Sequence, residues 1–300
     1  MSGFFEGCRG QKLRYALFFP VREKPLGTVV IIQGRNECIE KYAETIRELV
    51  GHGFVVASFD LRGQALSGRL GRNERAGHVH RFTDYLDDVE RFLAFIVTPS
   101  APGPYSILAH SLGGLIALAL APRLSGRIHR IVLSAPLVGL MGLPVPENLA
   151  FGMAALASWT GLGKWPMGKE RAPASFADNV LTTSAARFER FATLRRTTPE
   201  LGIGAPTARW LHEVRKTMKR ATSPEHLTQI TVPTLILAPV QDRIVPYKAM
   251  EDLARQFRAG HLVSIPGARH ELLQEDDRYR AQALAAILAF IAPDEETVSG

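Results

Sequence analysis

The chain has 300 residues, 46% of them hydrophobic and 22% charged, and a formal net charge of +7. That length and balance fit one large α/β domain with an insertion, and they exclude a disordered chain or a small disulfide scaffold. The positive charge permits contact with an anionic membrane, whereas the scatter of Lys and Arg and the lack of any recognition motif speak against nucleic acid.

Cys8 and Cys38, the two cysteines, give neither a disulfide framework nor metal-ligand spacing. The N-terminus lacks the basic start and apolar run of a signal peptide, so a reducing, cytoplasmic setting is expected, with peripheral contact at the inner membrane surface permitted by charge. Lys12 to Phe19 and Thr28 to Ile32 read as strands joined through Pro25-Leu-Gly27. Gln33-Gly-Arg-Asn-Glu37 follows, then an amphipathic helix from about Ile39 to Val50. Phe54 to Phe59 is a further buried strand leading into Asp60-Leu-Arg-Gly-Gln64, and a Gly- and Arg-rich loop runs to about Arg81. Phe82 to Val97 has helical spacing, with Tyr85, Leu86, Val89, Phe92, Leu93 and Ile96 facing inward.

Tyr105 to Ala109 is a short apolar strand and Leu112 to Ala121 a helix, with His110-Ser111-Leu112-Gly113 between them. A serine at such a turn presents its hydroxyl above the sheet beside a helix N-terminus, although a serine there also serves as a plain N-cap. Gly113 is expected to allow the tight turn and Gly114 the close approach of helix and sheet. Ile128 to Leu133 is the next strand. The alternation then breaks between about Leu137 and His226, where an apolar Gly- and Pro-rich stretch gives way to an arginine-rich one. That region is expected to be a helical cap, residues 137–226, inserted into a core of residues 1–136 and 227–300. Its apolar stretch is expected to line a pocket or dock on lipid. Strands at Val232 to Ala238 and His261 to Ile265 and helices near Lys248 to Phe257 and Arg278 to Ile291 complete the core. A mobile tail is expected from Pro293. Alternating strands and helices imply a mostly parallel sheet with helices on both faces and ligands beyond the carboxyl ends of the strands.

A nucleophilic serine needs a base, and the base needs an orienting carboxylate. Asp242 follows one resumed strand and His270 the next, giving the order Ser111, Asp242, His270. Asp178 and Glu271 are the substitutes for the carboxylate. The oxyanion of an acyl-transfer intermediate would meet the N–H groups of Leu112 and of Arg35, which Gly34 leaves accessible, unless Gly34 serves only a turn. His110 is expected to shape the elbow.

With these motifs in place, the chain resembles the α/β-hydrolase superfamily, and within it the lysophospholipase and monoacylglycerol-lipase-like serine hydrolases. Gln33-Gly-Arg-Asn-Glu37 with Tyr42, Phe59-Asp-Leu-Arg-Gly-Gln64, His110-Ser-Leu-Gly-Gly114 and Gly267-Ala-Arg-His270 look most like the bacterial lysophospholipase branch. Gln33 stands where monoacylglycerol lipases usually have His, Ala65 where Gly is usual, and Ala109 where the first elbow Gly is usual. The resemblance implies that Glu37 and the Asp60-Leu-Arg62 turn brace the active-site loops, with Arg62 pairing with carboxylates. It implies hydrolysis of a lipid ester without cofactor or metal. A short-chain carboxylesterase, a serine peptidase of the same fold, and a binding protein without turnover are the competing readings.

Overall fold

The computed structural model describes residues 1–70, 75–142, 145–168 and 175–292. The expected tail at 293–300, and parts of the loop expected to run to about Arg81 and of the 137–226 insertion, lie outside them. In β3 (Thr28–Ile32) Val29 and Ile31 face one side of the sheet and Val30 and Ile32 the other, and every residue is buried. Two-sided burial is what a continuous apolar run signals when helices cover both faces. β4 (Val55–Phe59), β5 (Tyr105–His110), β6 (Arg130–Ser134) and β7 (Thr234–Pro239) are buried in the same manner, while β8 (Gly260–Ile265) lies half-buried at one edge.

At the other edge stand β2 (Lys12–Phe18) and β1 (Ser2–Glu6). β1 has no counterpart in the sequence pattern, because only Phe5 of its five residues is buried. The eight strands lie in the order β1-β2-β4-β3-β5-β6-β7-β8, antiparallel through β1, β2 and β4 and parallel from β4 to β8.

One face carries α1 (Ala43–Gly51) and α8 (Asp277–Ile291), which bury Ile46, Leu49, Ala283 and Ile287 against it. The opposite face carries α2 (Thr83–Phe92), α3 (Leu112–Leu120) and α7 (Tyr247–Gln256). The helix expected through Val97 changes character at Leu93, where a π-turn covers Leu93–Val97. Val97 is fully buried there, and Ile96, partly buried, packs against the core as the helical spacing expects.

Between β6 and β7 the chain leaves the sheet and forms α4 (Glu147–Trp159), α5 (Ala185–Thr197) and α6 (Ala208–Ala221). α6 buries Trp210, Val214 and Met218 into the core on the α2–α3 side. The insertion is pinned to the other side too: Arg187 and Arg190 of α5 donate to Glu44 of α1 at 2.5–2.9 Å. α4 packs on α6 and turns Leu149, Met153, Leu156 and Trp159 outward.

Candidate active site

β5 ends at His110 and the chain turns into α3 within one residue, Ser111. Ser111 holds φ 50° and ψ −110°, a conformation that an L-residue keeps only when its surroundings impose it. Here its N–H donates to the Ser134 carbonyl at 3.0 Å, and its own carbonyl accepts from Leu137 at 3.0 Å and Leu115 at 3.1 Å. Although Ser111 occupies the N-cap position, its hydroxyl makes no capping bond. The positive φ therefore falls on the serine. Gly113 serves a different need from the one expected: a Cβ there would stand 2.2 Å from the Ile32 carbonyl oxygen, so glycine lets α3 lie against the end of β3. Gly114 does the same toward Pro136, as expected.

The free hydroxyl meets His270. His270 Nε2 lies 2.9 Å from Ser111 Oγ and Nδ1 lies 2.7 Å from Asp242 Oδ2, although the loops come from strands far apart in sequence. The other Asp242 oxygen accepts the N–H groups of Ile244 at 2.7 Å and Val245 at 3.0 Å, which fixes the carboxylate. All three side chains are buried. With Nδ1–H donating to Asp242, Nε2 is left to accept the serine proton. The two substitute carboxylates have other partners: Asp178 accepts from Ser175 and Glu271 from Lys41.

Beside the hydroxyl lies the loop after β3. Gly34 N–H donates to Glu37 Oε2 at 2.5 Å, and a Cβ on Gly34 would come within 2.8 Å of that oxygen. The Glu37 carboxylate thus folds back under the loop, and Asn36 continues it at φ 63°. Among the described residues the Arg35 N–H has no hydrogen-bond acceptor. Leu112, the first residue of α3, has no intrahelical acceptor for its N–H either. Two backbone donors at the carboxyl ends of adjacent strands are thus left available.

Residues 23–277 match the family model described as serine aminopeptidase, S33. The chain belongs to this family. Among its relatives is lysophospholipase L2 of Escherichia coli K12, 36% identical over 282 residues that span 87% of this chain and 79% of that one. The probable lysophospholipase L2 of Haemophilus influenzae is 28% identical over 96% of this chain and 91% of its own. In structure the chain is similar to the monoacylglycerol lipase of Paleococcus ferrophilus, with a TM-score of 0.75 at 20% identity, covering 93% of this chain and 98% of that one. The fold is that of the α/β hydrolases, and the protein is a serine hydrolase similar to lysophospholipases and monoacylglycerol lipases.

In this family member the loops around Ser111 are tied by buried charge. Lys41 Nζ bridges Glu37 at 2.7 Å and Glu271, the neighbour of His270, at 2.6 Å. Tyr42 OH donates to Glu37 at 2.7 Å. Burial opposes ionisation of Glu37, but Lys41, His110 and Tyr42 hold its carboxyl well below the usual carboxylate range. The His110 ring packs 4.9 Å from that of His270, and its Nδ1 lies 3.1 Å from the Ser134 carbonyl. Burial pushes the His110 imidazole down to about 4, against the pull of Glu37. Sequence reasoning missed Lys41, because a Lys four residues after a Glu reads as an ordinary solvated helix pair. Its one signal is position, directly between two motif residues.

Asp60 is buried and accepts from Arg14 Nε at 2.6 Å, Ile39 N at 3.1 Å and Leu66 N at 3.2 Å, so it joins two of the site's loops. Arg62 grips Asp88 of α2 with two bonds of 2.5 and 2.6 Å and lies among carboxylates of the scaffold. Burial works against the Arg62 charge, and Asp88 outweighs it, so its pKa is raised. Among the described residues, no group of three or more His, Cys, Asp or Glu side chains is disposed to hold a metal ion.

Proposed function

We propose that the protein hydrolyses the carboxylic ester of a lipid bearing one acyl chain, a lysophospholipid or a monoacylglycerol. The hydrogen-bonded chain Asp242–His270–Ser111 carries this reading. Ser111 Oγ bonds to the ester carbonyl carbon as His270 Nε2 takes the hydroxyl proton, and Asp242 stabilises the imidazolium so formed. The Arg35 and Leu112 N–H groups hold the developing oxyanion. Collapse breaks the bond to the alcohol, which leaves with the proton from Nε2. Water then attacks the acyl-enzyme by the same relay and releases the fatty acid. Gly34, Glu37, Asp60, Arg62, His110 and Gly113 hold the loops that carry these groups.

Residues 137–226 act as the cap that receives the acyl chain. Among the described residues no helix is long and apolar enough to cross a membrane. The outward side of α4 nevertheless exposes Leu156 by 67% and Trp159 by 85%, and Trp165, Lys164, Lys216, Lys219 and Arg220 of the same insertion are exposed too. Apolar and tryptophan side chains beside a basic flank favour peripheral docking on anionic lipid, and a lipid substrate would be drawn from that surface.

The test is hydrolysis of lysophosphatidylethanolamine, monoacylglycerol, short p-nitrophenyl esters and aminoacyl p-nitroanilides, with Ser111→Ala as control. Long-chain lipid esters are the expected preferred substrates. A sharp optimum on short esters would leave a carboxylesterase, and cleavage of the anilides alone would leave a peptidase.

A further inference from the structure

The two N–H groups left available beside Ser111 are held in different ways. Leu112 opens α3, and the helix fixes its N–H together with the elbow. The Arg35 N–H belongs to a loop, so its direction depends on what grips Gly34, Arg35 and Asn36. Gly34 N–H is tied to Glu37 within the loop itself. Asn36 N–H donates to Gln64 Oε1, a buried side chain of the loop after β4. The other two ties come from the insertion. Asn36 Oδ1 accepts the Ile203 N–H at 2.8 Å, and Arg35 Nη2 donates to the Gly204 carbonyl. Two successive loop residues thus bind two successive residues of the insertion, running in opposite directions.

The insertion is itself anchored at this point. Leu201 is buried with Cys38 and Ala65 in a small apolar cluster that Phe191 and Leu194 of α5 complete. Gly77 N–H donates to the Ala205 carbonyl at 3.1 Å, and Thr207 N–H donates to the Gly77 carbonyl at 2.9 Å. The Ile203 N–H is therefore presented from a fixed position. Asn36 is suited to meet it, because asparagine tolerates the left-handed φ of 63° and its short side chain ends in an acceptor. A donor to an oxyanion is worth most when its direction is set before the charge develops.

We propose that the insertion completes the oxyanion hole: the bond from the Ile203 N–H to the Asn36 side chain aims the Arg35 N–H at the developing oxyanion. The inference rests on the ester-hydrolase reading above. Asn36 is then a positioning residue that acts through the Arg35 peptide and does not touch the substrate. The insertion has a second task besides receiving the acyl chain.

The experiment removes the two ends of this bond separately. Asn36→Gly keeps a residue suited to positive φ and deletes the acceptor. Ile203→Pro keeps Asn36 and deletes the donor. Both variants and their combination are assayed on a soluble p-nitrophenyl ester, each checked by thermal melting. In Asn36→Gly, kcat is expected to fall about tenfold while KM changes by less than about twofold. A trifluoromethyl ketone supplies the second readout. Ser111 Oγ adds to its carbonyl carbon as His270 takes the hydroxyl proton, and the adduct carries the oxyanion. Its inhibition constant should rise by about the factor by which kcat falls. Ile203→Pro should shift both quantities alike, and the combined variant should lose little more than either alone.

Unchanged kcat and inhibition constant in folded Asn36→Gly would make Asn36 a clasp on the insertion alone and overturn the proposal. Fully additive losses in the combined variant would show that the two groups act separately, and would overturn it too. Should either single variant fail to fold, the other decides by the same two readouts. Absence of ester hydrolysis in wild type would strike the parent reading and this one with it. An active wild type beside an unaffected Asn36→Gly would strike this one alone, so the two failures are separable.

Discussion

The floor around Ser111 and the outer side of α4 treat their side chains in opposite ways. On the floor, Glu37, Lys41, Asp60 and Arg62 are buried and each is held by partners at hydrogen-bond distance. On α4, Leu149, Met153, Leu156 and Trp159 are apolar and exposed to solvent among the described residues. Buried ion pairs contribute little net stability, and their use is to fix geometry. Exposed apolar groups contribute none, and a run of them marks contact with something outside the chain. One region is built to hold still, the other is the surface proposed above for docking.

The largest effect should come from the floor itself. Ser111→Ala is expected to lower ester hydrolysis by about three orders of magnitude or more while the melting temperature stays near wild type. Lys41→Met tests the same region by stability. It strands two buried carboxylates and should destabilise the fold by about 3–5 kcal/mol in urea titration, with activity falling alongside. Lys219→Met on the insertion should move stability by less than about 0.5 kcal/mol, since an exposed Lys has little to lose. If the two lysines proved equal, the contrast between the regions would collapse.

Trp159→Ala together with Leu156→Ser should weaken binding to vesicles of phosphatidylglycerol several-fold in a co-sedimentation assay and leave hydrolysis of a soluble short ester unchanged. Retained binding would move the docking surface elsewhere. The smallest effect concerns pH. His110 titrates near 4 in the folded chain against an ordinary 6.5, so the unfolded chain binds the extra proton first. The stability this group contributes is complete above about pH 6.5 and declines as pH falls toward 4. Glu37, held below its ordinary range, adds a further loss at still lower pH. His110→Gln should flatten the first part of a plot of melting temperature against pH.

Most of the sheet was legible because β3, β4 and β7 write burial on both faces as unbroken apolar runs. Ser111, Asp242 and His270 were legible as candidates because each follows a strand, and the fold brings them within hydrogen-bond reach. β1 was hidden because an edge strand with one buried side chain has no period to read. The π-turn at Leu93 was hidden because it changes the period itself. Lys41 and the side-chain surroundings of Arg35 escaped for another reason. A sequence shows that a cation exists and cannot show whether a carboxylate folds in beside it from another loop, as Glu271 does for Lys41 and as none of the described residues does for Arg35.

The backbone near Ser111 carries a last consequence, for heat tolerance under selection. Asn36, Ala65, Ser111 and Ala135 all hold positive φ without being glycine, between 45° and 63°, and all follow strands at the same end of the sheet. Each such residue costs about 1 kcal/mol or more relative to a relaxed backbone. A population selected for survival at higher temperature has an easy first step in Ala65→Gly, which removes a Cβ and no hydrogen bond. At Ser111 the same relief would delete the hydroxyl proposed to attack the ester, so on that reading the strain there is locked in by use. Thermal adaptation of this enzyme should therefore spread around the elbow and stop at its tip.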